Sequence, residues 1–218
     1  YVTYGEKHGQ ADLTLRLYCL DPSSRIREAC KRGRSATFFS ATLTPVDYFR
    51  RLLGGERTDY TLELDSPFPA ENLLVMVADH IDTSYRGRGL SYEDVARSIA
   101  AAVSGRRGNY MVYFPSYKYL QEVVPRFSTV AARNTLVMTQ VPRMTEQQKE
   151  QFLAIFNVAN AETVVGFAVM GGIFGEGIDL VGDRLVGAIV VGVGLPQIGL
   201  ERDLIKGYYD DHENAGFA

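Results

Sequence analysis

VVGFAVMGGIFGEGIDL, residues 164–180, begins as an unbroken apolar run and ends as a glycine loop. Val164, Val165, Phe167, Ala168, Val169 and Met170 have the length and branching of a buried strand. The run empties into Gly171, Gly172, Gly175 and Gly177, with the carboxylates Glu176 and Asp179 among or just after them. In an open parallel sheet, ligands lie beyond the carboxyl ends of the strands, and glycines there let backbone approach a ligand closely. The loop therefore reads as a working surface. No GxxxxGKS/T pattern occurs in the sequence, so no lysine is set to grip a triphosphate. Glu176 and Asp179 would repel bare phosphate.

Outward from this stretch, the hydrophobic period switches repeatedly between two and 3.6, the pattern of an α/β layer architecture. Strands are expected at 12–20, 36–40, 61–64, 73–78, 109–114, 135–138, 164–170 and 185–193. Helices are expected from Asp21-Pro22 to about Lys31 and from Thr44-Pro45 to Gly54-Gly55. Further helices are expected at 91–104, 116–127 and 145–156. Ser91 with Asp94, and Thr145 with Gln148, have the spacing of capping boxes. Alternation of strands and helices implies crossover connections and a mainly parallel sheet with helices on both faces.

Composition narrows the class without choosing a function. The 218 residues are 46 % hydrophobic and 22 % charged, ordinary values for a globular protein. No apolar run approaches the ~20 residues that span a bilayer, so no membrane partner is expected. Cys19 and Cys30 lack the paired short spacing of a zinc or iron–sulfur ligand set and read as free thiols in a reducing cytoplasm. A formal charge of −3 gives no large positive field for nucleic acid. A local basic stretch, Arg86, Arg88, Arg97, Arg106 and Arg107, reads for the most part as a solvated loop and helix face.

Three short segments each follow a strand. In Ser40-Ala41-Thr42-Leu43-Thr44-Pro45, a helix cap accounts for Thr44 but leaves the hydroxyls of Ser40 and Thr42 without a role. Tyr113-Phe114-Pro115-Ser116-Tyr117 ends a strand and opens a helix, where Ser116 and the first amides can face an anion. Ser116 reads equally as a plain N-cap. The third segment is the glycine loop.

In this order and spacing the segments resemble motifs III, IV and V of superfamily 2 helicases, specifically the DinG/XPD branch. SATLTP at 40–45, followed by Tyr48-Phe49 and Leu53-Gly54, is similar to motif III and the helix after it. SPFP at 66–69 resembles the family's passage into the second motor domain, and YFPSY at 113–117 resembles motif IV. GGIFGEGIDLVGDRLVGAIVVGVGLP at 171–196 resembles motif V and the strand after it. The resemblance covers roughly residues 12–200.

The resemblance implies a RecA-like domain of an ATP-driven motor that moves 5′ to 3′ on single-stranded DNA and separates duplexes. In such motors ATP and Mg²⁺ lie between two RecA-like domains, and a motif VI arginine stabilises transition-state charge. Nothing here matches a Walker A lysine, a DEAH-like box or the QxxGRxxR of motif VI. The resemblance therefore implies the tail of the first motor domain, 1–56, and the second motor domain, 57–218, stopping before motif VI. An iron–sulfur cluster is possible in the parent protein but is not expected in this chain.

By position, Gly175, Glu176, Gly177 and Asp179 fall where motif V faces nucleotide and DNA, organising the loop instead of serving as a base. Ser40 and Thr42 fall on the coupling motif at the interdomain cleft, in the tail of the first motor domain, most of which is absent. Ser116 and Tyr117 fall where motif IV approaches the DNA backbone. Tyr117 offers a ring for base stacking and equally reads as core packing. Gln140, after a strand, is a further candidate for a DNA contact. No catalytic residue is expected in this segment, and the segment alone is expected to be inactive.

Two rival readings stand beside this one. A degenerate RecA-like domain acting as a protein-interaction or regulatory module would also lack the phosphate loop and motif VI. A dinucleotide-binding enzyme would use Gly172, Gly175 and Gly177. Against it, a Rossmann fingerprint follows the first strand of its unit, and Glu176 would oppose a pyrophosphate.

Overall fold

The computed structural model describes residues 2–7, 10–175, 177–194 and 199–213, and side chains from 15 to 211 within these. The chain forms two compact units, one of 74–196 and one of 1–73 with 197–218.

The first of these units is built on a four-stranded, all-parallel sheet. Its strands are β3 (Asn109–Phe114), β4 (Thr135–Thr139), β5 (Thr163–Val169) and β6 (Gly187–Val190), here numbered after the two strands of the other unit. The order across the sheet is β4-β5-β3-β6. Val112 sits opposite Phe167 on one side and Ile189 on the other, so β3 is hydrogen-bonded along both edges. Three helices cover the sheet: α3 (Arg88–Ser104), α4 (Tyr117–Val130) and α5 (Glu146–Ala154).

The two-residue period of the strands sorts their side chains onto two faces. Tyr110, Val112, Phe114, Val165 and Phe167 face one cluster with Val95 and Ile99 of α3 and Leu120, Val123 and Phe127 of α4. Met111, Val164 and Ala168 face the other, with Phe152, Phe156 and Phe174. Helices thus lie on both faces, as the alternating pattern predicts. Thr145 caps α5 as its sequence spacing predicts: its hydroxyl accepts from Gln148 N at 3.3 Å, and Gln148 Oε1 accepts from Thr145 N at 2.8 Å.

The other unit contains an antiparallel pair, β1 (Val2–Lys7) and β2 (Gln10–Leu15), and the helices α1 (Ser23–Cys30), α2 (Val46–Leu52) and α6 (Leu200–Glu213). Neither α1 nor α2 carries a buried residue. Polar contacts bind its pieces: Arg27 Nε donates to Gly54 O at 2.8 Å, Arg16 pairs with Glu201, and Tyr208 Oη donates to Asp21 Oδ2 at 3.4 Å.

Several expected elements take another form. The strand expected at 12–20 is the shorter β2, paired with β1. Residues 36–40, 61–64 and 73–78 run without any ladder among the described residues, because a strand exists only where a neighbour accepts from its N–H groups and donates to its C=O groups. The last strand contracts to Gly187–Val190. Ser91 does not cap: α3 begins three residues earlier, and Ser91 Oγ donates to Asp82 O at 2.6 Å from inside the helix. Thr44 makes no cap either, since the α2 N-cap is Pro45 without a side-chain bond.

Candidate functional site

The carboxyl edge of the parallel sheet gathers the segments that follow β3, β4 and β5. Ser116 is the N-cap of α4, and its hydroxyl accepts from Tyr119 N at 3.3 Å. Beside it Tyr117 is half-buried. Gln140 leaves β4 and is 3 % exposed, so its amide must find partners within the protein. It finds two. Its Nε2 donates to Tyr117 Oη at 2.8 Å, and its Oε1 accepts from Val169 N, the last residue of β5, at 2.9 Å.

This side chain bridges the start of α4 to the exit of β5. The glycine loop then passes over it: a Cβ on Gly172 would lie 3.1 Å from Gln140 Nε2 and 3.0 Å from Val169 O. A side chain at 172 would press on both groups. A second tie comes from β3, where Tyr113 Oη donates to Phe174 O at 3.0 Å. Burial pushes the Tyr113 phenol above its ordinary value, so it stays a protonated donor.

Beyond Phe174 the loop turns outward. Gly175 and Gly177 are exposed, and Gly177 has φ +67°. Ile178 and Leu180 pack toward the core while Asp179 between them is exposed, with its backbone carbonyl accepting from Arg184 Nη1 at 3.4 Å. Asp179 thus presents its carboxylate to solvent. Glu176 lies outside the described residues. Ser116, Tyr117 and Gln140 are brought together with the root of the loop.

Ser40 and Thr42 belong to the other unit. Both are exposed, and their hydroxyls lie 3.1 Å apart, with Thr42 N donating to Ser40 Oγ at 3.2 Å. Among the described residues no group of three or more His, Cys, Asp or Glu side chains is placed to hold a metal ion. No helix among them is long and apolar enough to cross a membrane.

Sequence reasoning took Gln140 as a candidate for a DNA contact and did not foresee the bridge it makes. The available signal was the tyrosines: Tyr113 and Tyr117 bring hydroxyls to the end of a buried strand, and a buried hydroxyl calls for a partner. No local pattern identifies Gln140 as that partner for Tyr117, 23 residues away.

Residues 99–218 match the family described as Helicase C-terminal domain, and the chain belongs to that family. It is similar to the ATP-dependent DNA helicase CHL1 of Scheffersomyces stipitis, 25 % identical over 208 residues, covering 84 % of this chain and 24 % of that protein. It is also similar to two XPD helicase subunits of general transcription and DNA repair factor IIH. That of Dictyostelium discoideum is 24 % identical over 215 residues, covering 93 % of this chain and 27 % of that protein. That of Saccharomyces cerevisiae, XPD/RAD3, is 23 % identical over 206 residues, with 88 % and 26 % covered. The chain spans about a quarter of the length of these relatives.

Proposed function

We propose that this chain is the motor segment of an ATP-dependent DNA helicase that moves 5′ to 3′ along single-stranded DNA and unwinds duplexes. In this reading 1–56 is the tail of the first motor domain and 57–218 belongs to the second. ATP with Mg²⁺ would lie between this segment and the remainder of the first domain, in a cytoplasmic setting that suits the free thiols of Cys19 and Cys30. The observation that carries the reading is the Tyr117–Gln140–Val169 bridge, which joins the helix start after β3 to the end of β5, from which the glycine loop leaves. DNA held at Ser116 and Tyr117 would then be mechanically linked to a loop that meets nucleotide through Gly175, Glu176, Gly177 and Asp179. Gln140 serves this link from beneath the surface. Ser40 and Thr42 are proposed to couple the two motor domains.

The test is binding of a dye-labelled oligo-dT to the 218-residue chain, followed by anisotropy over a salt series. Weak binding that falls as salt rises is expected, because phosphate contacts release counterions. Ser116→Ala and Tyr117→Ala should weaken it while the chain stays folded at the assay temperature, as read by circular dichroism. With no GxxxxGKS/T pattern present, the chain alone should show no ATP turnover. No DNA binding at low salt would overturn the assignment and favour a RecA-like module for a protein partner.

A further inference from the structure

Of the arginines in the basic stretch, Arg97 pairs with Glu93 at 3.4 Å and Arg106 with Asp183 at 3.1 Å, as expected of a solvated face. Arg88 does something else. Its guanidinium carbon lies 4.5 Å from the centroid of the Tyr85 ring and 5.3 Å from that of Tyr119. Tyr119 is fully buried and Tyr85 is 82 % exposed, so the three side chains form a stack that runs from core to solvent. Guanidinium groups are attracted to ring faces, and here the attraction holds an exposed ring against an anchored one.

The backbone beneath the stack is tightly tied. Ser84 N donates to Asp82 Oδ1 at 2.9 Å, Gly87 N to Ser84 Oγ at 3.2 Å and Arg88 N to Ser84 O at 2.9 Å. Ser91 Oγ closes the loop onto Asp82 O at 2.6 Å. The Asp82 carboxyl is held below its ordinary value by its bonds to Ser84, so its charge is engaged within the loop. Tyr85 is therefore presented from a fixed base.

Its position in the fold follows from topology. Helix α3 leads into β3, so the first turn of α3 lies at the carboxyl end of that parallel strand, the edge that also carries Ser116. Tyr119, the inner ring of the stack, donates its backbone N–H to Ser116 Oγ. Ser116 and the stack thus share one residue.

We propose that Tyr85, backed by Arg88, is a stacking platform for a base of single-stranded DNA, next to the backbone contact at Ser116 and Tyr117. This rests on the DNA reading above. An aromatic face binds any base without sequence preference, which suits a translocating motor, and Arg88 adds charge close to the phosphates on either side. The exposed guanidinium of Arg86 lies on the same loop.

Since the chain has no tryptophan, Tyr85→Trp supplies a single reporter. Titration with oligo-dT should quench its emission, while an abasic oligonucleotide of equal length should leave it unchanged. In anisotropy, Tyr85→Ala should weaken oligo-dT binding about tenfold. Tyr85→Phe should stay within about twofold, since it keeps the ring. The abasic strand should bind the unsubstituted protein and Tyr85→Ala alike. Tyr85 is exposed, so these variants are expected to melt with the unsubstituted protein. Unchanged oligo-dT affinity in Tyr85→Ala, alongside weakened affinity in Tyr117→Ala, would overturn the platform and leave the DNA edge standing. Equal losses on both strands would overturn stacking in favour of a backbone contact. A protein that binds neither strand would overturn the platform together with the reading beneath it.

Discussion

Leu73–Val77, LLVMV, and Val164–Val169, VVGFAV, are apolar runs of similar length with opposite fates. In the second, Val165, Phe167 and Ala168 have no exposure and Val164 has 1 %. In the first, every side chain is between 70 % and 81 % exposed. Hydrophobicity does not separate them. Neighbours do: β5 has a parallel ladder to β3 on one edge and to β4 on the other, with helices over both faces, whereas 73–77 has no ladder among the described residues. An apolar run states a capacity for burial, and the sheet that receives it decides whether the capacity is used.

The sharpest way to break this comparison is to truncate one side chain in each run. Phe167→Ala removes a ring that packs edge-on against Phe127 at 5.1 Å and should cost about 3–5 kcal/mol in denaturant unfolding. Val75→Ala should stay within about 0.5 kcal/mol, the range of surface changes. A loss above about 1 kcal/mol at Val75 would show that the run is covered in solution and would remove the contrast. An uncovered run also predicts self-association as concentration rises, reduced by Val75→Asp and read by sedimentation velocity.

A smaller effect tests how β5 is held at its exit, where 73–77 has no counterpart. Gln140→Leu leaves Val169 N–H and the Tyr117 hydroxyl without their partner and should cost about 1–3 kcal/mol. Tyr117→Phe should cost about 1 kcal/mol, and the double variant less than the sum of the two, because both remove the same bond. Strict additivity would show that the two side chains act independently.

The smallest effect belongs to the unit in which α1 and α2 carry no buried residue. Asp21 accepts from Ser23 N at 2.8 Å, and its bonds to Ser23 hold its carboxyl below the ordinary 3.8. A lowered folded pKa means stability that is present above the unfolded value and is lost as pH falls through the folded one. The α1 helicity of the unsubstituted protein should therefore decline as pH drops below 3.8, and Asp21→Asn should start lower at neutral pH and converge with it in acid. Parallel curves for the two proteins would remove Asp21 from the account of this region.

Much of the fold was legible residue by residue. Asn109–Phe114 and the run from Val164 declared themselves by length and branching, and Thr145 with Gln148 declared the start of α5, because capping is settled within four residues. The same spacing at Ser91 and Asp94 misled, since a tertiary partner, the carbonyl of Asp82, took the serine hydroxyl. Ser116 and Tyr117 were legible as a strand-to-helix junction, and the glycine loop as a surface. Membership of the helicase C-terminal family follows from the sequence match.

The amino-acid sequence by itself determined the alternation of strand and helix, the apolar faces and the glycines that let the loop turn, because each depends on local sterics or on a short period. Tertiary structure alone decided that 164–169 pairs while 73–77 does not, that Gln140 spans from Tyr117 to Val169, and that Arg88 lies between Tyr85 and Tyr119. Those outcomes join residues across tens of positions. A hydrogen bond or a ring contact of that kind is specified by where the sheet brings its ends, which no single stretch of sequence contains.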